Sequence, residues 1–332
     1  MSSRYRILWN TLSRIKFDKR LIQKCNVLFP KALPKPAAIP CTVGFSLFTW
    51  LGFQPKLSAE DELIQTIKHC VLFIQRLQYE KAEQLLHIAL RQAQQIHHEM
   101  GITYIYDVMA NLALEREQLD KAKQLFVAVT QRIMANGATE DDPRVVHLSI
   151  KLARISHLKK EYSTAQLGYD WCLEKLRKAM GTNPSEDTRK MLAIAEDWCG
   201  RLYVDCNKLE EGLKLMVNSL DLMQSVGDVG QEHIVVQLND IGTVCVQLGK
   251  TDESIAYFKQ AIEVGKQLPE MEELGTMYVN LGRAYLKKQM VEEARKSCGY
   301  GWKLGAQANN KDIKDEAEDC IKEVKGMNGM MR

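Results

Sequence analysis

The chain has 332 residues, with 45 Lys and Arg against 42 Asp and Glu, 45% hydrophobic residues, 8 Pro and 20 Gly. This is the balance of a folded chain of one or two domains, and it excludes a disordered or many-pass membrane protein. Aromatics make up only 7%, which argues against an all-β fold, because strands draw on aromatic and β-branched side chains.

The net charge of +3 is unevenly spread. Residues 1–36 carry nine basic side chains and one acid, Asp18, leaving 36 basic against 41 acidic residues over 37–332. A body of that sign argues against nucleic acid as a partner. In the first segment Arg4, Arg6, Arg14, Lys16, Lys19, Arg20 and Lys24 alternate with Ile7, Leu8, Trp9, Leu12, Ile15 and Ile22. A basic, acid-poor, amphipathic stretch of this kind reads as a mitochondrial presequence over 1–36, with a basic arm for anionic surfaces as the other reading.

From residue 36 to residue 55 no charge occurs, and Phe45, Leu47, Phe48, Trp50, Leu51 and Phe53 cluster at the end of this run. A helix over Ala37–Phe53 would be about 25 Å long, a little short of the roughly 30 Å hydrocarbon core. The expectation is a single transmembrane segment over 37–55; a hydrophobic tail of the presequence, or a segment docked on the body, is the alternative. Pro40 and the small residues Ala37, Ala38, Cys41, Thr42 and Gly44 weaken the helix at its start. An intramembrane protease needs a substrate that unwinds, so this is the candidate processing region. With a span there, Lys31 and Lys35 on one flank and Glu60, Asp61 and Glu62 on the other favour the intermembrane space as the side of the body.

The body, 60–306, repeats itself. A small residue is followed four and seven positions later by a bulky and then a usually small one: Ala82, Leu86, Ala89; Ala122, Phe126, Val129; Ala165, Tyr169, Cys172; Gly212, Met216, Ser219; Ser254, Phe258, Ala261; Ala294, Cys298, Gly301. Twelve residues before each set stand Cys70, Ala110, Ala153, Gly200, Gly242 and Gly282, all small. Two helices that approach closely need small side chains at the crossing, so each set predicts a helical hairpin. Six such sets are the pattern of tetratricopeptide repeats. The fold expected is therefore all-α, a solenoid of about six hairpins.

The spacing exceeds the usual 34 residues, which predicts longer helices or loops; 136–143 and 181–187 are two Gly-, Pro- and Asp-rich loop candidates. Over 307–326, Ile313, Ala317, Cys320 and Val324 share one helix face and predict a C-terminal capping helix.

No catalytic or metal motif stands out. The nine Cys contain no CxxC pair, and Cys70, Cys172 and Cys298 fall in the repeating columns; His97, His98 and Glu99 are adjacent but form no HExxH. There is no P-loop, GxGxxG or GxSxG. The expectation is a protein that is not an enzyme and that carries no cofactor or metal.

A repeat solenoid offers a surface lined by the first helix of each hairpin. Counting each repeat from nineteen residues before its leading small residue, positions five and nine hold Asp107 and Asn111, Ile150 and Arg154, Asp197 and Arg201, Asn239 and Thr243, Val279 and Arg283. Tyr104 and His147 stand at position two. The three arginines suit bidentate capture of a peptide carboxylate, although surface arginines are often paired within the protein instead.

The stretch from Gly101 to Phe126, GITYIYDVMANLALEREQLDKAKQLF, resembles the second repeat of the mitochondrial tetratricopeptide repeat protein 19 family of respiratory complex III factors. Ile102-Thr103-Tyr104, Tyr106-Asp107 and Met109 to Ala113 carry the likeness, which extends more loosely from Phe48–Phe53 through Glu80–Glu83 to the last repeat. The resemblance implies an inner-membrane scaffold that binds complex III and helps clear fragments of its Rieske iron–sulfur subunit. Tyr104, Tyr106, Asp107 and Asn111 form the best single patch, with His147, Arg154, Asp197, Arg201, Asn239 and Arg283 as further groove candidates. A tetratricopeptide receptor for chaperone or import-machinery peptides is the alternative.

Overall fold

A computed structural model describes residues 58–330 except 183, 227–229, 269, 270 and 272. The expected presequence, the 37–55 span and the processing residues Ala37, Ala38, Cys41, Thr42 and Gly44 all lie outside these. Among the described residues there are thirteen α-helices and no strand, and no helix is long and apolar enough to cross a membrane.

The helices pair as α1 (Ala59–Gln75) with α2 (Tyr79–Gln95), α3 (Glu99–Glu115) with α4 (Leu119–Ala135), α5 (Pro143–Leu158) with α6 (Tyr162–Thr182), and α7 (Glu186–Asp205) with α8 (Leu209–Ser225). They continue as α9 (Gln231–Gln247) with α10 (Thr251–Gly265), α11 (Leu274–Lys287) with α12 (Val291–Gln307), and a single α13 (Lys311–Met330). The chain divides into two compact units at residue 145/146. The first holds the hairpins α1–α2 and α3–α4; the second holds nearly all of α5 and everything after it.

Every repeating position read from the sequence is buried. The leading triplets, from Ala82, Leu86 and Ala89 to Ala294, Cys298 and Gly301, are all closed from solvent, as are the six small residues that precede them. The cause is the distance of approach. A Cβ added to Gly200 of α7 would lie 2.9 Å from the carbonyl oxygen of Gly212 on α8, and one added to Gly212 would lie 2.8 Å from that of Gly200. The hairpin backbones touch there, so only glycine fits on both sides.

Within each hairpin the turn is three residues long, and its middle residue is left-handed: Leu77, Glu117, Lys160, Asn207, Gly249 and Gln289, with φ between 57° and 76°. These turns end the first helix with carbonyls satisfied from beyond it, as where the Gln78 N–H donates to the Phe73 carbonyl at 2.9 Å. Only two of the six, Asn207 and Gly249, are residues suited to that conformation.

The extra length per repeat lies in both helices and loops. α6 and α7 have 21 and 20 residues against 17 for most others. They absorb much of the expected 181–187 loop: Gly181 and Thr182 stay in α6, and Ser185 caps α7, its hydroxyl accepting from the Thr188 N–H at 3.0 Å. The 136–142 loop remains, and Pro143 opens α5, where its missing N–H costs nothing.

In the second unit α13 covers the last hairpin with Ile313, Ala317, Cys320 and Val324, all buried. Cys320 is bonded to Cys298 of α12, with the two Cα atoms 5.8 Å apart, so the cap is joined covalently to the last hairpin. The sequence placed Cys298 in a packing column but offered no sign of its partner.

Candidate functional site

In the first unit the family-like stretch, Gly101–Phe126, spans most of α3 and the first half of α4. His98 caps α3, its Nδ1 accepting from the Gly101 N–H at 2.8 Å, while Glu99 pairs with Arg132 of α4. The adjacent His97 is the left-handed turn residue, so the three neighbours serve three separate local roles. Arg132 also reaches the Thr103 hydroxyl at 3.2 Å and lies 5.9 Å over the Tyr106 ring. Tyr106 therefore faces the second helix of its own hairpin. Asp107 and Asn111 are buried, and the Asn111 amide donates to the Asp107 carbonyl at 2.7 Å. Tyr104 is half-buried on the same helix.

In the second unit, position five of each repeat is buried: Ile150, Asp197, Asn239 and Val279. Position nine lies toward the surface, with Arg154, Arg201 and Arg283 half-buried and Thr243 exposed. Side chains at these positions reach position six of the next repeat. Arg201 donates to Asp197 at 2.9 Å and to Asp240 at 2.7 Å; Asn280 donates to Asn239 at 2.9 Å; Arg283 stands 3.6 Å from Glu323 on the cap. Arg201 is thus held between two carboxylates that favour its charged form, and although burial opposes this, its pKa lies above the ordinary guanidinium value.

At the first rung the position-six residue is Trp198, and Arg154 lies over its indole ring at 5.6 Å. One guanidinium nitrogen of Arg154 is 3.0 Å from Nδ1 of His157, whose Nε2 is 2.9 Å from Asp205. Arginine can only donate, so Nδ1 accepts and Nε2 carries the hydrogen that His157 gives to Asp205. Burial first, and the Arg154 charge second, hold the His157 pKa below the ordinary imidazole value, consistent with this neutral tautomer. His147, fully enclosed, is held well below that value by burial, with Lys151 adding to the effect.

Sequence reasoning missed His157, Asp205, Trp198, Asp240 and Asn280. The last three share position six, so a column was present to be read. His157 and Asp205 follow no column. Among the described residues no group of His, Cys, Asp and Glu converges as a metal site.

The tetratricopeptide repeat family model matches residues 238–264, the α9–α10 hairpin. Two solved structures share the fold. One is a signal transduction ATPase with a tetratricopeptide repeat sensor from Pyrococcus horikoshii, with TM-score 0.59 and 13% identity, covering 82% of this chain and 41% of that one. The other is a Rap protein complexed with competence and sporulation factor, with TM-score 0.56 and 10% identity, covering 83% and 78%. At such identities they speak for the fold alone.

Sequence relatives reach further. The mitochondrial tetratricopeptide repeat protein 19 homolog of Drosophila melanogaster is 38% identical over 275 residues, covering 82% of this chain and 74% of the relative. The mitochondrial tetratricopeptide repeat protein 19 of Homo sapiens is 28% identical over 248 residues, covering 71% of this chain and 65% of the relative. With the repeats, the all-helical hairpins and a likeness of this extent, the chain belongs to the mitochondrial tetratricopeptide repeat protein 19 family.

Proposed function

We propose that this protein is a non-catalytic scaffold of the mitochondrial inner membrane that binds respiratory complex III and supports its assembly or maintenance. In this reading it holds the Rieske iron–sulfur subunit or fragments cut from it. The observation that carries the proposal is the family likeness centred on Gly101–Phe126, which folds as one helical hairpin with Tyr104, Asp107 and Asn111 on its first helix. Hairpin repeats supply rigid helix faces suited to a polypeptide partner.

Contact candidates would be Tyr104 within the first unit and, separately, Arg154 and Arg283 within the second; Tyr106, Asp107 and Asn111 would hold the first unit in shape, and His147, Asp197, Arg201 and Asn239 the second. Residues 1–36 would address the chain to mitochondria, 37–55 would anchor it, and the region from Ala37 to Gly44 would be open to processing. The acidic flank after the span favours a body in the intermembrane space. So does the bonded pair Cys298 and Cys320, since disulfides persist in oxidising compartments. A chaperone-peptide receptor that depends on a free arginine column is less favoured, because Arg201 is already occupied by Asp197 and Asp240.

The test is affinity purification from inner membranes in mild detergent, reading complex III subunits and small Rieske fragments for wild type, Tyr104→Ala, and Tyr104→Ala with Asp107→Ala. Complex III should accompany the wild type and fall in both variants, with unchanged thermal unfolding of the single variant as the control. Wild-type eluates holding chaperones or import components in place of complex III would overturn the reading.

A further inference from the structure

The middle member of each repeating triplet is the large side chain that fills its hairpin: Leu86, Phe126, Tyr169, Met216 and Phe258, each at most 2% exposed. The sixth hairpin has Cys298 there, with only a Cβ and a sulfur. The missing volume comes from the cap. Cys320 of α13 brings its own sulfur against that of Cys298, and both residues are fully enclosed. α11 yields to them as well, since a Cβ added to Gly282 would lie 2.5 Å from the Cys298 sulfur and 3.2 Å from that of Cys320. The bonded pair thus stands where the other five hairpins have one large residue of their own, and the last hairpin is filled only while α13 is seated.

The remaining hold on α13 is slight. Ile313, Ala317 and Val324 are its other buried side chains among the described residues. Its polar links to the hairpin lie at the surface: the Trp302 indole N–H donates to Glu318 at 3.0 Å, Lys314 lies 5.8 Å over the same ring, and Arg283 stands 3.6 Å from Glu323. Solvent screens such pairs, and they contribute little. By contrast, a bond between residues 22 apart restrains the opened chain by about two orders of magnitude. A terminal helix with few buried contacts is also the part of a repeat array that opens most readily.

We propose that Cys298 and Cys320 form a redox-operated latch on the cap: bonded, they close the end of the second unit, and as two thiols they let α13 open away from α11 and α12. The co-reactant is a dithiol. Once α13 has opened, one thiolate of the dithiol attacks a sulfur of the pair, the Cys298–Cys320 bond breaks and a mixed disulfide forms; the second thiolate then displaces the remaining cysteine. The chain gains two electrons and two protons as two thiols, and the dithiol leaves as a disulfide; the reverse sequence closes the latch. Cys172, Cys199 and Cys245 do not compete, since burial pushes the pKa of the first two up to about 12 and that of Cys245 to about 11, which keeps them protonated. The latch does not depend on which polypeptide the protein binds.

The test is hydrogen exchange read by mass spectrometry on the full chain in detergent micelles, purified without reductant, before and after dithiothreitol. Differential alkylation reports the state of the two cysteines. The pair should be bonded as purified. Reduction should speed exchange over 311–327 at least about tenfold and leave 231–265 unchanged. Cys298→Ala with Cys320→Ala should exchange as the reduced chain does and gain nothing from dithiothreitol, which assigns the effect to this pair. If that variant does not fold, the wild-type comparison carries the test by itself. Equal protection of 311–327 before and after reduction, exchange that rises equally over 231–265, a response to dithiothreitol that survives in the alanine variant, or a pair that is not bonded as purified overturns the proposal.

Discussion

The interior of each hairpin and the outward edge of its first helix are built by different physics. Inside the hairpins, backbones approach until a single Cβ is too much, as at Gly200 and Gly212 or where Gly282 lies under Cys298. That constraint acts on volume, and it recurs in every repeat. Along the first helices of the second unit, polar side chains reach from one repeat to the next, and each rung is made differently: Arg201 with two acids, Asn239 with Asn280, Arg154 with Trp198 and His157. Repetition of a backbone distance demands the same residue size each time, while a polar contact can be satisfied by several donor–acceptor pairs.

The contrast can be broken at its strong side first. Phe258→Ala removes an enclosed ring that packs on Gly242, and unfolding of the second unit in urea should show a loss of about 3–5 kcal/mol. A loss below 1 kcal/mol would mean that the column is not tightly packed. On the ladder, Asp240→Ala leaves Arg201 with one carboxylate in a half-buried site, and the same measurement should lose about 2–3 kcal/mol. Asp319→Ala, an exposed acid next to Lys322 on the cap, should leave the urea midpoint unchanged, because solvent screens the pair.

Acidity sharpens the comparison further, because the packing columns do not titrate. His147 and His157 have folded pKa values held below the ordinary imidazole value of about 6.5. Below that value the unfolded chain binds protons that the folded chain does not, so stability is complete above about pH 7 and falls as the pH drops toward the lowered values. Each histidine adds at most about 1.4 kcal/mol per pH unit to the slope. Thermal unfolding between pH 7.5 and 5 should show a falling midpoint, and His147→Leu should flatten the curve; an unchanged slope in that variant would remove His147 from the account.

The turns should matter less than the core or the ladder. Leu77 holds φ at 59°, a conformation unfavourable for a branched side chain. Leu77→Gly should raise the stability of the first unit by about 1 kcal/mol, and Gly249→Ala at φ 76° should lower that of the second by a similar amount. Equal and opposite midpoint shifts in differential scanning calorimetry would show that the six turns share one geometry.

The hairpins were legible because their determinant is local and repeated. The triplets from Ala82 to Gly301 and the cap face from Ile313 to Val324 needed only residue size and spacing to be found. Position five was harder. Asp107, Asp197 and Asn239 read as groove residues, yet they are buried between helices, because a polar side chain on a helix face does not reveal whether a neighbouring repeat covers it. Tyr106 shows the same limit, since only its approach to Arg132 fixes the side it faces. The bond between Cys298 and Cys320 was hidden because pairing depends on a Cα separation that two positions 22 apart do not specify.

By itself, then, the order of small and bulky residues determined a chain of six helical hairpins and a cap, since steric fit at a repeated helix crossing depends on little beyond side-chain volume. Only the tertiary structure decided which groups stand against each arginine. The partners of Arg201 and Arg154 come from different helices, 39 and 44 residues further along the chain, and no local pattern encodes whether an acid or an indole will stand opposite.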